Sequence, residues 1–400
     1  MDKSYDIDAL VTRKTEQKFF KLIKNAHVMA PEDLGIRDVL ISGDQISLIA
    51  EHIDGTAFDA QIIDAEENYL TPGFIDAHVH MLGGGGGAGY GSRAPELEAS
   101  EAFLTGTTTI VGCLGIDYIS RTPIHLVCKC RSLQERGLNV YIVFGGFGLP
   151  PRTITGDIRD DMFLIPELLG VGEPAVSDQR SSQTPVSYLQ QLVSEVHVGG
   201  RLTGKQGIVQ FHLGDAPSGT APLKEIVKVS PMKNVRPLHF NRNPQLMAEA
   251  PEWIAMGGYV DFTAGLHAPD YPKGLTNAQA VKQLRDAGCD MKHVTFSTDG
   301  NGVHTLYGLE FIKRFPLSLM HEAVVETAQL EGVTLSEALS YATSNTADSL
   351  GLKTKGRIQV GKDADLILLK KDDLAVDTVL SRGLLMVEHG ERVNRGRLDG

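Results

Sequence analysis

Two histidines one residue apart, His78 and His80 in the run Ile75-Asp76-Ala77-His78-Val79-His80, carry the plainest chemical signal in this chain. On an extended segment, residues i and i+2 face the same side. Both imidazoles can then reach one divalent cation, for which neutral imidazole is a common ligand. An isolated His-x-His pair also occurs on partly exposed strands, so its meaning depends on what the chain brings beside it. Glu173, His212, His239 and Asp299 each stand at or near the end of a short apolar run. Four of the thirteen histidines fall on such ends, whereas His27, His52, His125 and His389 read as surface or turn residues. Singly, His212 or His239 reads more simply as a satisfied core histidine; the ordered set points to a metal centre.

These side chains suit two divalent ions. His78, His80 and Asp299 can hold one, His212 and His239 the other, and Glu173 can bridge both as an anionic bidentate group. A water between two such ions loses its proton near neutral pH and becomes a nucleophile. Asp299 can take that proton and pass it to a leaving nitrogen, acting as general base and then acid. Histidine and carboxylate ligands make Zn2+ the first expectation and also accept Mn, Co or Fe.

The elements that must position these groups follow from the hydrophobic pattern. Between residues 71 and 352, apolar runs at 108–113, 140–144, 172–178, 208–213, 235–239, 260–263 and 294–299 read as buried strands. The His-x-His segment makes eight, and helical patterns such as 187–197 and 277–287 lie between most of them. Eight such units predict an α/β fold, a (β/α)8 TIM barrel, with a doubly wound sheet as the alternative. In a barrel, chemistry sits at the C-terminal ends of the strands, where the six candidate residues fall. Short β-like runs flank this middle, from Phe19 to Leu70 and again at Gly356-Arg357-Ile358, at 364–369 and at 384–387. The two ends are expected to pair into a small β-sandwich domain of residues 1–70 and 353–400, with the barrel of 71–352 inserted between them.

Four hundred residues exceed what one hydrophobic core usually organises. With 42% hydrophobic and 22% charged residues the composition is that of an ordinary globular protein, and the net charge of -12 argues against a nucleic-acid surface. Cys113, Cys128, Cys130 and Cys289 form no C-x-x-C pair, and two of them read as core. A reduced, cytoplasmic setting is expected. No run approaches the roughly 18 apolar residues of a membrane span, and Met1 to Lys24 lack the apolar stretch of a signal peptide.

The run Thr71-Pro72-Gly73-Phe74-Ile75-Asp76-Ala77-His78-Val79-His80, with the later His212, His239 and Asp299, resembles the amidohydrolase superfamily. More narrowly the chain is similar to the isoaspartyl dipeptidase (β-aspartyl peptidase) family. The matching stretches include Gly83 to Gly86, Ser120-Arg121, Pro151-Arg152-Thr153-Ile154-Thr155-Gly156, Ser177-Asp178-Gln179-Arg180-Ser181, Phe211-His212-Leu213-Gly214-Asp215, His239-Phe240-Asn241-Arg242-Asn243 and Ser297-Thr298-Asp299-Gly300-Asn301-Gly302. The resemblance implies a metal-dependent hydrolase of amide bonds, with Arg180 and Arg242 gripping a substrate carboxylate. Guanidinium suits that work because it meets a carboxylate through two parallel hydrogen bonds. A homo-oligomer acting on a small molecule or dipeptide, without nucleic-acid or membrane partners, is implied as well.

Four positions depart from that family. Its carboxylated bridging lysine is Glu173 here, and no lysine lies between Lys129 and Lys205 to replace it. Its glutamate that holds the substrate ammonium is Gly87, its carbonyl-polarising tyrosine is Phe147, and its serine after the last strand is Val303. An amide-hydrolysing centre with altered recognition of a β-aspartyl N-terminus is therefore expected, acting on a small acidic peptide or N-acyl amino acid. Turnover of a lactone, a cyclic amide or a deamination substrate is one alternative; a non-catalytic scaffold is another, disfavoured by the complete set of candidate ligands.

Overall fold

Five strands open the computed structural model, which describes residues 17–267, 271–305 and 312–393: β1 (Phe20–Met29), β2 (Asp33–Ser42), β3 (Gln45–Ala50), β4 (Gln61–Asp64) and β5 (Tyr69–Pro72). Gly43 turns β2 into β3 at φ +61, a left-handed conformation that glycine adopts without a side-chain clash. Eight strands follow: β6 (Phe74–Val79), β7 (Thr107–Gly112), β8 (Asn139–Phe144), β9 (Leu168–Val176), β10 (Ile208–Leu213), β11 (Val235–Leu238), β12 (Val260–Thr263) and β13 (Val294–Ser297). A short hairpin, β14 (Val303–Thr305) and β15 (Ile312–Arg314), precedes the last four strands, β16 (Leu366–Leu369), β17 (Val376–Ser381), β18 (Leu384–Glu388) and β19 (Glu391–Arg392).

The middle strands form the barrel. β6 to β11 pair in sequential parallel order, and β12 pairs with β13. Where the ladder lapses between β11 and β12, Asn241 spans the gap: its amide nitrogen donates to Thr263 O and its Oδ1 accepts from Thr263 N, both at 2.9 Å. The last strand returns to the first through a parallel bridge between Val79 and Gly300, with His80 N donating to Gly300 O at 2.8 Å. This sequential closure excludes the doubly wound alternative. Strands covered on both faces are mostly apolar, which is why they are legible as runs; the polar residues they do carry are paired, as Arg236 on β11 is with Asp261 on β12 at 2.9 Å. β10 and β12 have the expected ends, whereas β9 starts at Leu168 rather than 172, and β13 stops at Ser297, short of Asp299.

The segments on either side of the barrel meet in one nine-stranded sheet of order β19-β18-β17-β16-β5-β1-β2-β3, with β4 beside β1. β5 is the seam, parallel to β1 and antiparallel to β16, with Leu70 opposite Leu368. Ile23, Val39, Leu70, Leu366 and Leu380 build its core. Gly356-Arg357-Ile358 is not a strand, contrary to the pattern. Gly356 turns the chain at φ +75 against the helix Ser344–Leu350, and Ile358 is buried with its N–H on Ala30 O. β17, by contrast, was not anticipated. Residues 1–16 and 394–400, included in the expected terminal domain, lie outside the described residues.

The buried Lys355 fastens this sheet to the barrel. Its ammonium donates to Asn139 Oδ1 at 2.8 Å and Asp365 Oδ2 at 2.5 Å and lies 2.9 Å from Asp363 Oδ2. Burial pushes the ammonium down, but the two carboxylates hold it above its ordinary value. Among the described residues, no helix is long and apolar enough to cross a membrane.

Candidate metal centre

All six expected residues converge on the C-terminal mouth of the barrel. β6 carries His78, fully buried, with His80 directly after it. β9 brings Glu173, whose Oε2 lies 3.0 Å from His78 Nε2, 3.5 Å from His212 Nδ1 and 4.0 Å from His239 Nε2. Its Oε1 lies 3.7 Å from His80 Nε2. Asp299 Oδ1 stands 2.8 Å from His80 Nε2 and 3.6 Å from His78 Nε2. Glutamate is shorter than a carboxylated lysine, yet it reaches all four imidazoles.

Local backbone makes this convergence possible. His239 and Asp299 both follow a strand end in the left-handed region, at φ 68 and φ 52, which non-glycine residues seldom occupy and which clusters at functional sites. Gly115, at φ +75, lies so close to His80 that a Cβ there would sit 2.6 Å from the ring. Only glycine lets the loop after β7 rest against that imidazole.

Second partners fix the rings. Gln210, on β10, donates its amide N–H to Ala77 O at 2.8 Å, which presents Oε1 to His78 Nδ1 at 3.2 Å. His78 Nδ1 therefore carries a proton toward Gln210, and Nε2 is the nitrogen turned toward Glu173. Thr263 Oγ1, 2.7 Å from His239 Nδ1, faces that ring from the side opposite its Nε2.

Charge in the pocket is tightly opposed. Burial would raise the Glu173 carboxyl, but His78, His212 and His80 hold it well below the ordinary range. Burial also pushes His78 and His80 down, and Cys113 with Glu173 or Asp299 brings both well above. His239 is driven well below its usual value by burial and by His212 and His78.

Both candidate substrate arginines lie beside His212. Arg180 forms a two-pronged pair with Asp178, at 2.9 and 2.7 Å, and its Nη2 lies 3.0 Å from His212 Nε2. Asp178 is held far below its usual value, since the Arg180 and His212 hydrogen bonds outweigh burial. Arg242 pairs with Asp215 at 3.2 Å and approaches His212 Nε2 to 3.5 Å. Phe147 lies against His212, ring centres 4.4 Å apart and tilted by 42°, and the Arg180 guanidinium lies over the Phe147 ring at 4.9 Å. Gly87 is exposed beside Ile116, and Val303 packs close to Gly85.

The donor set fits a divalent cation. Glu173 Oε2, His212 Nδ1 and His239 Nε2 are buried and make no hydrogen bond, although they face one another. Buried polar atoms are otherwise paired, and facing lone pairs find a common partner in a cation. His78, His80, Cys113 and Glu173 form one group with ligand atoms within 4.8 Å of each other, and Glu173, His212 and His239 form a second. Sequence reasoning missed Cys113, Asp178, Gln210 and Thr263. Cys113 does obey the strand-end rule, one residue past β7, but its apolar neighbours Val111 and Leu114 made it read as core.

The Amidohydrolase family model matches residues 273–386. A beta-aspartyl dipeptidase of Fervidobacterium islandicum AW-1, solved in complex with a beta-Asp-Leu dipeptide, is 35% identical with a TM-score of 0.88, covering 95% of this chain and 100% of that one. The chain belongs to the amidohydrolase superfamily, hydrolases that generally use divalent metals. Within that superfamily it is isoaspartyl dipeptidase-like. More distantly, it is 24% identical over 416 residues to a 5-methylthioadenosine/S-adenosylhomocysteine deaminase of Thermococcus sibiricus, covering 95% of this chain and 92% of that one. It is also 22% identical over 415 residues to a dihydroorotase of Pediococcus pentosaceus, covering 88% and 89%.

Proposed function

We propose that this chain hydrolyses an amide bond in a small acidic peptide or N-acyl amino acid, using two divalent ions held by His78, His80, Glu173, His212, His239 and Asp299. The observation that carries the proposal is the placement of Arg180 and Arg242 on the same face as this donor set, both within 3.5 Å of His212 Nε2. Two guanidinium groups beside a hydrolytic centre suit a substrate bearing a carboxylate. Bound zinc or a similar ion would acidify water and polarise the scissile carbonyl. Asp299 would take a proton from the attacking water on its carboxylate and return it to the leaving nitrogen. Asp178 would keep the Arg180 fork aimed, and Phe147 would exclude water from one side of His212.

The likeness to a beta-aspartyl dipeptidase supports this substrate class. With glycine at 87 and phenylalanine at 147, however, neither a carboxylate for the substrate ammonium nor a phenol for the carbonyl is supplied from those positions. A buried ammonium left without a partner is strongly disfavoured, so recognition of the free β-aspartyl amine is expected to differ from the family's. The full-length similarity to a deaminase and a dihydroorotase supports a second reading, turnover of a lactone, cyclic amide or deamination substrate at the same centre. In either case residues 71–352 act as the barrel and 1–70 with 353–400 as a β-sandwich domain, in a cytoplasmic homo-oligomer.

The test is hydrolysis of β-aspartyl dipeptides by zinc-loaded protein, beside the same peptides with blocked amino termini and a dihydroorotate or lactone control. Cleavage of blocked peptides supports the proposal with altered amine recognition. Cleavage of free dipeptides means another group meets the ammonium. Turnover of the cyclic control alone would replace the proposal by the second reading.

A further inference from the structure

Cys113 is fully buried between the two histidines of the first donor group, with Sγ 3.7 Å from His78 Nε2 and 3.4 Å from His80 Nδ1. The Gln210 carboxamide oxygen meets His78 Nδ1, so Nε2 is the ring nitrogen that faces the sulfur. The other neighbours of the sulfur are the His80 ring and Val79 O at 3.6 Å. Beside these atoms lies Glu173 Oε2, buried and without a hydrogen bond. An imidazole nitrogen, a carboxylate oxygen and a sulfur therefore face one another in one buried group.

The spacing is that of ligands around one ion. Zinc–sulfur and zinc–nitrogen bonds of about 2.3 and 2.1 Å at a tetrahedral angle put S and N about 3.6 Å apart. The sulfur lies 3.7 Å from His78 Nε2 and 4.0 Å from His80 Nε2, close to that value. Gly115 contributes too, since a side chain there would strike His80 and force the loop carrying Cys113 away.

We infer that Cys113 is a metal ligand, a thiolate completing the His78–His80–Glu173 end of the centre. On binding, the S–H bond is replaced by a sulfur–metal bond and the thiol proton leaves to solvent. A thiolate among imidazole and carboxylate ligands biases the centre toward zinc, cobalt and cadmium and away from manganese and magnesium. The inference rests on the metal-centre reading above and is separable from it, because it concerns which atoms bind the ion and not what is hydrolysed.

The test is zinc X-ray absorption on the intact wild-type protein, followed by cobalt substitution in wild type, Cys113→Ser and a Cys128→Ser control. Expected are a sulfur scatterer at about 2.3 Å beside nitrogen and oxygen at about 2.0–2.1 Å, and a near-ultraviolet sulfur-to-cobalt band lost only in Cys113→Ser. Zinc affinity of that variant should fall at least about 100-fold, beyond the usual cost of losing an outer partner. Stoichiometric zinc with nitrogen and oxygen neighbours alone overturns the thiolate ligand and leaves the hydrolase reading intact. A cobalt band that survives in Cys113→Ser overturns it equally, and protein that takes up no zinc overturns both.

Discussion

Thr263 Oγ1 lies 2.7 Å from His239 Nδ1, on the side of the ring away from Glu173. The contact holds the imidazole so that its Nε2 faces Glu173 Oε2 at 4.0 Å. Thr263 also touches Ser297 Oγ at 3.4 Å, and Ser297 in turn donates to Asp261, so the ring is braced from beneath the barrel mouth. Removing the hydroxyl in Thr263→Val should weaken metal binding about 10–100-fold, the usual cost of losing an outer partner. Competition with a chelator measures this, and Thr263→Ser should keep near-normal affinity. Equal affinity in the valine variant would show that the hydroxyl does not set the ring.

Asp299→Asn removes the proposed proton carrier while keeping the side chain's size. Turnover should fall about 10²–10⁴-fold, the range of a positioned acid–base group. Steady-state rates normalised to bound metal separate this from simple metal loss. Near wild-type turnover per bound metal would eliminate the shuttle.

Arg180→Lys keeps the charge and loses the fork that Asp178 aligns. Charge-assisted hydrogen bonds of about 1.5–3 kcal/mol translate to a KM increase of about 10–100-fold with a smaller change in kcat. The effect should shrink when the substrate carboxylate is blocked as an amide. A change confined to kcat would place Arg180 in the chemistry instead.

Metal removal should lower thermal stability as well as activity. A ligand present at 100 times its dissociation constant contributes about 2.7 kcal/mol to the folded state. Differential scanning before and after chelation, with zinc restored, should show a reversible drop. An unchanged melting temperature after verified metal loss would argue against a buried cation.

Lys355→Met should destabilise the protein by about 3–5 kcal/mol, because it strands the buried Asp365 carboxylate. The pH dependence carries a definite sign. The folded ammonium lies above its unfolded value of 10.5, so its contribution is full below that pH and disappears as pH rises through the folded value. Melting temperatures of wild type and variant should therefore differ by a constant amount to about pH 10 and converge above it. A gap that narrows near neutrality would assign the effect to another group.

The barrel was legible because its strands are buried on both faces and are therefore mostly apolar. The strand-end rule then pointed to His78, His80, Glu173, His212, His239 and Asp299, which the folded chain gathers. Boundaries were less legible. Nothing local separates Gly356-Arg357-Ile358 from a strand, and its real role depends on Gly356 meeting a helix. Likewise Cys113 in its apolar run looks like filler, and only the neighbouring rings distinguish it.

Residue type and the order of strand ends belong to the sequence by itself, since hydrophobic periodicity and short-range geometry act along the chain. They determined the parallel barrel, the histidine and carboxylate inventory and the likeness to a family. Tertiary structure decided what those groups face: the ring orientation that Gln210 sets for His78, the Asp178–Arg180 fork and the place of Cys113. Gln210 and His78 are 132 residues apart, and Cys113 lies 35 from His78. Such relations arise when strands close into a barrel and side chains distant in sequence share one water-poor pocket.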